Sequence, residues 1–303
     1  DNKMRKIREI LYSIFKISLL LVGILFLLGI ISCLFASCDN FDEDEYMTLV
    51  QGQTTESVPI TKLQTEQYVL LEDYTGWKCV NCPAAAALLE EMVAKHGERL
   101  VTMSVHAGSF AEPNATNNNL DLRTDYGTKW NEEFGFSSYP AGLINRTLNG
   151  SNHVFQKDEW DAKVSEILAN TENRININMG AAVKDNKIIV SAEYVAVKDI
   201  NTTLEANVFV LESDIHGVQF NSNSQYGAVP KIDDYTFNHV LRPNGLCNMT
   251  INAEQIANGE KILKNYAINI DQTWKLENCK VIIFLTDSAT KEVIQVNEMD
   301  VDL

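Results

Sequence analysis

Residues 74–83, Tyr74-Thr-Gly-Trp-Lys-Cys79-Val-Asn-Cys82-Pro83, place two thiols three positions apart. The apolar run Tyr68-Val-Leu-Leu71 precedes them and the helix-forming run Ala84-Ala-Ala-Ala-Leu-Leu-Glu-Glu-Met92 follows, so a strand hands over to a helix at the cysteines. The start of a helix carries unpaired N–H groups and the positive end of the macrodipole, which favour a thiolate, the species that attacks a disulfide. Cys79, expected to be the more exposed thiol, is assigned as nucleophile, and Cys82 as the thiol that resolves a mixed disulfide. Lys78 supplies local positive charge, and Pro83 suits a first helical turn, where its missing N–H is not needed. The competing readings are a disulfide that never turns over and half of a zinc site. Zinc needs a second ligand pair, and Cys247 and Cys279 stand singly, so no metal and no cofactor is expected.

Working outward, residues 67–72 read as a strand, 83–96 as a helix with Leu88, Leu89, Met92 and Val93 on one side and Gly97 as its stop, and 99–106 as a second strand. Strand, helix, strand is a parallel crossover. A long polar excursion leads to a helix over 121–133, then to Tyr139-Pro140 before a short strand, a hairpin strand at 153–155 and an amphipathic helix over 157–170. This is the element order of thioredoxin, whose proline is cis and faces the dithiol. Pro140 is therefore assigned with Cys79 and Cys82 to the catalytic group, and Trp77 and Tyr139 to substrate contact. His106 ends a strand beside the long loop. It is an accessory to a thiolate, a third ligand with the two cysteines in a copper carrier, or a histidine satisfied by a backbone partner.

Residues 3–16 carry a basic n-region and are followed by a long apolar run ending in Phe35-Ala36-Ser37-Cys38. Positive start, apolar middle and small-residue end make an export signal over 1–37, with Cys38 as the lipidation site of a lipobox and Cys33 as the second candidate. An uncleaved membrane anchor is the alternative, and both place the rest of the chain outside the cytoplasm. Residues 38–57 read as an acidic and polar tether. The whole chain carries a net charge of -16 over 303 residues, so nucleic acid is excluded as a partner.

From residue 174 to 303 the pattern changes to six or seven short strands, with a tight hairpin turn at Asp185-Asn186 and no long helix, which reads as an antiparallel sandwich. Cys247 and Cys279 are expected to staple it as a disulfide. The polar loop 221–227 reads as solvated, with partner contact as the alternative.

Four stretches carry a more specific likeness. Tyr74-Thr-Gly with Cys79-Val-Asn-Cys-Pro83, Val105-His106-Ala-Gly-Ser-Phe-Ala111, Tyr139-Pro-Ala-Gly-Leu-Ile-Asn-Arg146 and Phe237-Asn-His-Val-Leu-Arg242 resemble the thioredoxin-like outer-membrane lipoproteins of Bacteroidota related to the twenty-eight-kilodalton outer-membrane protein. The resemblance implies an α/β thioredoxin-like domain (58–172) followed by an all-β immunoglobulin-like sandwich domain (174–303), held at the outer membrane by a lipid anchor. Two functions follow as expectations. One is thiol–disulfide exchange or electron transfer on an envelope protein substrate or redox partner. The other is a non-enzymatic lipoprotein that binds a protein or glycan and keeps Cys79–Cys82 as a structural disulfide. The chain departs from thioredoxin itself: its tryptophan lies two residues before Cys79, and Val-Asn replaces Gly-Pro between the cysteines. Potential and partner choice are therefore not transferable.

Overall fold

A computed structural model describes residues 52–252 and 255–303; the signal segment 1–37, Cys33 and Cys38 lie outside the described residues. The first half runs β1 (Val69–Thr75), α1 (Cys82–His96), β2 (Leu100–His106), α2 (Gly108–Ala111), α3 (Asp125–Glu133), β3 (Ala141–Ile144), β4 (Phe155–Gln156) and α4 (Trp160–Asn170). β1 pairs parallel with β2 and antiparallel with β3, and β4 extends that edge. Alternate residues of the two central strands face opposite ways. Val69, Leu71 and Leu100 meet Leu89 and Met92 of α1 and Trp160, Val164 and Ile167 of α4. Leu70, Val101, Met103 and Val105 meet Trp130 of α3 on the other side.

The second half contains β5 (Ile175–Lys184), β6 (Lys187–Ala196), β7 (Leu204–Glu212), β8 (Ile215–Phe220), β9 (Lys231–Phe237), β10 (Val240–Leu241), β11 (Leu246–Thr250), β12 (Lys261–Asn269), β13 (Cys279–Asp287) and β14 (Val293–Asp300). The Asp185-Asn186 turn between β5 and β6 has both residues at positive φ, 47° and 60°, as a tight hairpin demands. β5, β6 and β12 form a three-stranded sheet. It shares a core with one face of β7 and β13, built from residues such as Ile177, Val190, Tyr194, Val208, Val210, Val281 and Ile283. The opposite face of β7 and β13, with Phe209, Leu211, Ile282 and Phe284, joins the α/β core at Trp130. That double burial explains why the runs Val208-Phe-Val-Leu211 and Val281-Ile-Ile-Phe-Leu285 are apolar throughout.

One sheet crosses both halves, in the order β14-β13-β7-β10-β2-β1-β3-β4, with β11 also on β7, and residues 52–303 form one compact unit. Its link is β10, where Val240 pairs with Ser104 of β2 on one side and with Glu212 of β7 on the other.

Two expectations are corrected. The end of the polar tether is docked: the Thr54 N–H donates to the Asn265 carbonyl on the β12 edge, and Lys62 exchanges hydrogen bonds with Met179 on the β5 edge. Between them the chain passes so close over β5 that a Cβ on Gly180 would lie 1.9 Å from the Pro59 carbonyl oxygen, so only glycine fits there. Cys247 and Cys279 are both free. Cys247 follows Leu246, which pairs with Val208, whereas Cys279 pairs with Glu212 across the opposite edge of β7. Two strand spacings of about 4.8 Å, plus the offset along the strand, exceed the ~4.4–6.8 Å Cα separation of a disulfide. Each thiol is instead held by packing, with Cys247 against the α/β core and Cys279 in the sandwich core. Burial pushes their pKa values up, to about 11 and about 12.

A buried ion pair fixes the first half. Arg146 donates from Nε and a terminal nitrogen to the two carboxylate oxygens of Glu72, at 2.7 and 2.9 Å. The guanidinium also lies 4.6 Å from the Trp130 ring centroid. Replacing Arg146 by Met strands the Glu72 carboxylate in the core. Such a loss costs about 3–5 kcal/mol, while the double variant Glu72→Leu/Arg146→Met recovers most of it; guanidinium unfolding of the three proteins is the check.

Candidate functional site

The dithiol loop is built by β1 ending at Thr75 and α1 starting at Cys82. Cys79 and Cys82 form a disulfide. Cys82 N–H donates to the Cys79 carbonyl, closing the turn, and Pro83 occupies the first helical turn. Asn81 is the helix N-cap and makes no capping bond from its side chain.

Cys79 is not the exposed thiol expected from the sequence: it is 2% exposed and Cys82 4%. Cover comes from two sides. On one, α2 offers the Phe110 carbonyl to the Lys78 N–H, with contact so tight that a Cβ on Gly76 would lie 2.5 Å from Phe110 backbone atoms. On the other, the β8–β9 ribbon lays residues 219–222 along the loop. The Phe220 N–H donates to the Trp77 carbonyl at 2.8 Å and the Ser222 N–H to the Val80 carbonyl at 3.0 Å, while the Gln219 amide donates to the Cys79 carbonyl at 2.8 Å. Within the loop 221–227, Asn221 is buried with its amide spent on loop carbonyls and the Ser222 backbone is tied to Val80, while residues 222–225 and 227 are exposed, as the solvated reading expects.

Other assigned residues divide. Trp77, expected at the substrate, is buried beside Phe220, Val218 and Phe237 with Nε1 donating to the Glu112 carbonyl; apolar packing removes it from substrate contact. The Lys78 ammonium is taken up by the Ser109 carbonyl at 3.1 Å and by Glu112 at 3.7 Å. Tyr139 and Pro140, joined by a cis peptide, line a groove of about 400 Å³. Val80, Asn81 and Ala84 line the same groove, with Gln156–Asp158 and the ribbon loop at Asn221–Asn223 and Tyr226. Val80 stands exposed between the cysteines, at 42%. The groove runs alongside the dithiol loop, and its walls are mostly polar.

Behind Cys82 lies a second space, a cavity of about 320 Å³ between α1, β1, β2 and the ribbon. Its floor is the face of β1 and β2 that begins with Val69, Leu71 and Leu100 and continues as Asp73, Thr75, Thr102, Ser104 and His106. Asp73 was not singled out from the sequence; its signal is an acid in phase with two core residues. It is 3% exposed and its Oδ1 has no hydrogen-bond partner. Burial pushes its pKa up to about 7. His106, also 3% exposed, lines the cavity with an unpartnered Nε2 and its ring edge against Phe237; burial, then Arg242, pushes its pKa down to about 4. It is a neutral histidine. Among the described residues no three His, Cys, Asp or Glu side chains are grouped to hold a metal ion.

The family model of outer membrane protein Omp28 matches residues 128–302, beyond both cysteines of the loop. No protein of curated function matches the chain. Among solved structures, HBP35 of Porphyromonas gingivalis aligns with TM-score 0.57 at 14% identity, over 78% of this chain and 76% of that one, which shows a shared fold. A domain of the outer membrane lipoprotein Omp28 from Porphyromonas gingivalis is 22% identical over 43% of this chain and 88% of its own, with TM-score 0.26.

The two buried titrating groups act in opposite senses. A carboxyl whose folded pKa is raised binds more protons in the native state, so Asp73 makes stability fall as pH rises from about 4 to about 7. His106 makes stability fall as pH drops from 6.5 toward about 4, because only the unfolded chain takes the proton. Comparing wild type with Asp73→Asn isolates the first. The two proteins are expected to be nearly equal in stability at pH 4, and the variant more stable by up to about 4 kcal/mol at pH 8. Urea unfolding across that range is the measurement.

Proposed function

On the premise that this chain belongs to the family of outer membrane protein Omp28, and so is an outer-membrane protein, we propose that it exchanges disulfides with envelope proteins through Cys79 and Cys82. The observation that carries this reading is the unpartnered, buried carboxyl of Asp73 in the cavity that Cys82 lines. A structural staple has no use for such a group, whereas a thiol that must gain and lose a proton does. The element order of the first half supports a thioredoxin-like unit over 58–172, and the packed sheets that follow support an immunoglobulin-like one over 174–303. Lipidation at Cys38 supplies the anchor.

The step balances as follows. A substrate thiolate in the groove beside Pro140 attacks Cys79 Sγ, the bond to Cys82 breaks, and Cys82 leaves as a thiolate that takes the proton of Asp73. A second substrate thiol, giving up its own proton to solvent, then attacks the substrate sulfur joined to Cys79 and expels Cys79 as thiolate. Substrate loses two electrons as a disulfide and the protein holds two cysteines reduced. The reverse sequence reduces a substrate disulfide, with Asp73 receiving the proton from Cys82. Tyr139 shapes the groove through its hydroxyl bond to Asn131 and its ring beside Phe110.

One observation favours the second reading, a binding lipoprotein with a structural disulfide: both sulfurs are buried. The reduction potential of the pair, measured against glutathione buffers, decides between them. The exchange reading expects a value near or above the glutathione couple and a mixed disulfide trapped on Cys79 in Cys82→Ser but not in Cys79→Ser. A potential far below about -300 mV, with no trapped partner, establishes the staple.

A further inference from the structure

The cavity behind Cys82 has the makings of a ligand site in its own right. A strand face under a helix is ordinarily apolar, and the first residues of this face are. Past Leu71 and Leu100 it turns polar for five side chains in succession, over the stretch where the cavity opens. The roof stays apolar, with Ala86, Leu89 and Val93 of α1 and Phe237 of β9. Two buried polar atoms on the floor, Asp73 Oδ1 and His106 Nε2, lack partners within the chain. Each such atom is costly unless something binds it.

Charge selects the occupant. Asp73 lies inside and Glu90 at the exposed mouth, while no lysine or arginine lines the space. The lining histidines, His106 and His239, are both held toward the neutral form by burial. An anion would meet carboxylates without a counter-charge, whereas a cation would give Asp73 Oδ1 its missing donor. The volume, about 320 Å³, is roughly twice the ~150 Å³ of an apolar cavity that holds benzene, leaving room for about a dozen non-hydrogen atoms.

We propose that this cavity binds a small organic cation, an amine carried on a flat apolar body, with the ammonium on Asp73 and the body between the α1 roof and Phe237. The site is independent of whether the dithiol turns over, because it is tested with the disulfide intact.

The test uses the oxidised full-length chain in detergent and three probes of one shape: tryptamine, its neutral alcohol tryptophol, and the anion indole-3-acetate, with affinities from calorimetry at pH 8. Tryptamine is expected to bind at one site at least about tenfold more tightly than tryptophol, the scale of one charge-assisted hydrogen bond, and indole-3-acetate not at all. Asp73→Asn is expected to bring tryptamine to within about twofold of tryptophol, and Ala86→Leu, which fills the roof, to weaken both. Equal binding of tryptamine and tryptophol by the wild type, or no tryptamine binding at millimolar concentration, overturns the proposal without recourse to any variant. So does an undiminished preference for tryptamine in Asp73→Asn.

Discussion

Two residues hold the architecture together. Val240 and Leu241 form a strand with β2 on one side and β7 on the other, with the Ser104 N–H donating to the His239 carbonyl and the Arg242 N–H to the Val210 carbonyl. Through them the α/β strands and the sandwich strands become one sheet. The consequence is positional. The chain that leaves β7 at Glu212 and returns at Val240 must do so beside the ends of β1 and β2, where the dithiol loop sits. A ribbon made there has little choice but to lie over Trp77–Val80, and the loop carbonyls it finds unpaired are the ones it satisfies. The core follows the same logic: Phe209, Leu211, Ile282 and Phe284 pack with Trp130, so burial worth roughly 1.5–3 kcal/mol per large side chain crosses what the sequence reads as a boundary.

Legibility in the sequence followed how much of an element's structure is local. β1, α1, β2, β5 and β6 are carried by their own periodicity, and the Asp185-Asn186 turn by its own chemistry, so they are readable in isolation. β9 is Lys-Ile-Asp-Asp-Tyr-Thr-Phe, with adjacent acids and no clean alternation, and β10 is two residues long; both exist because of what they pair with. For the same reason the docking of the ribbon on the dithiol loop is hidden in the sequence, since Gln219 lies 140 positions from Cys79. Cys247 and Cys279 invite pairing by count alone, and only the strand order reveals β7 between them. Trp77 reads as a substrate contact from its neighbours, but its burial is decided by the ribbon.

The candidate site divides along the same line. The cysteines and Pro140 declare themselves by spacing and element order. Asp73 is hidden by position, since it follows Glu72, a second buried acid whose role is to bind Arg146. Adjacent strand residues face opposite ways, so the two acids enter different environments: Glu72 meets the Arg146 guanidinium, which itself lies over the Trp130 ring, whereas Asp73 meets a cavity and no counter-charge. A difference of one residue thus separates a structural anchor from a group whose protonation is set near neutrality.

The polar floor also bears on why the loop is closed in. Placing Asp73 and His106 under α1 costs stability at either end of the pH range, since one group is destabilised as it ionises and the other as it protonates. Leucine and valine at those positions would complete the core that Val69, Leu71 and Leu100 begin. Sequences that break the local rule of a strand face usually do so where chemistry or a ligand requires it. The ribbon then has two effects at once. It closes one side of the cavity that Asp73 lines, and it leaves Val80 and Pro140 on a groove beside the dithiol loop. Burial thus has two consequences at one place: it hides Cys79 from bulk solvent and it raises the pKa of Asp73 to about 7.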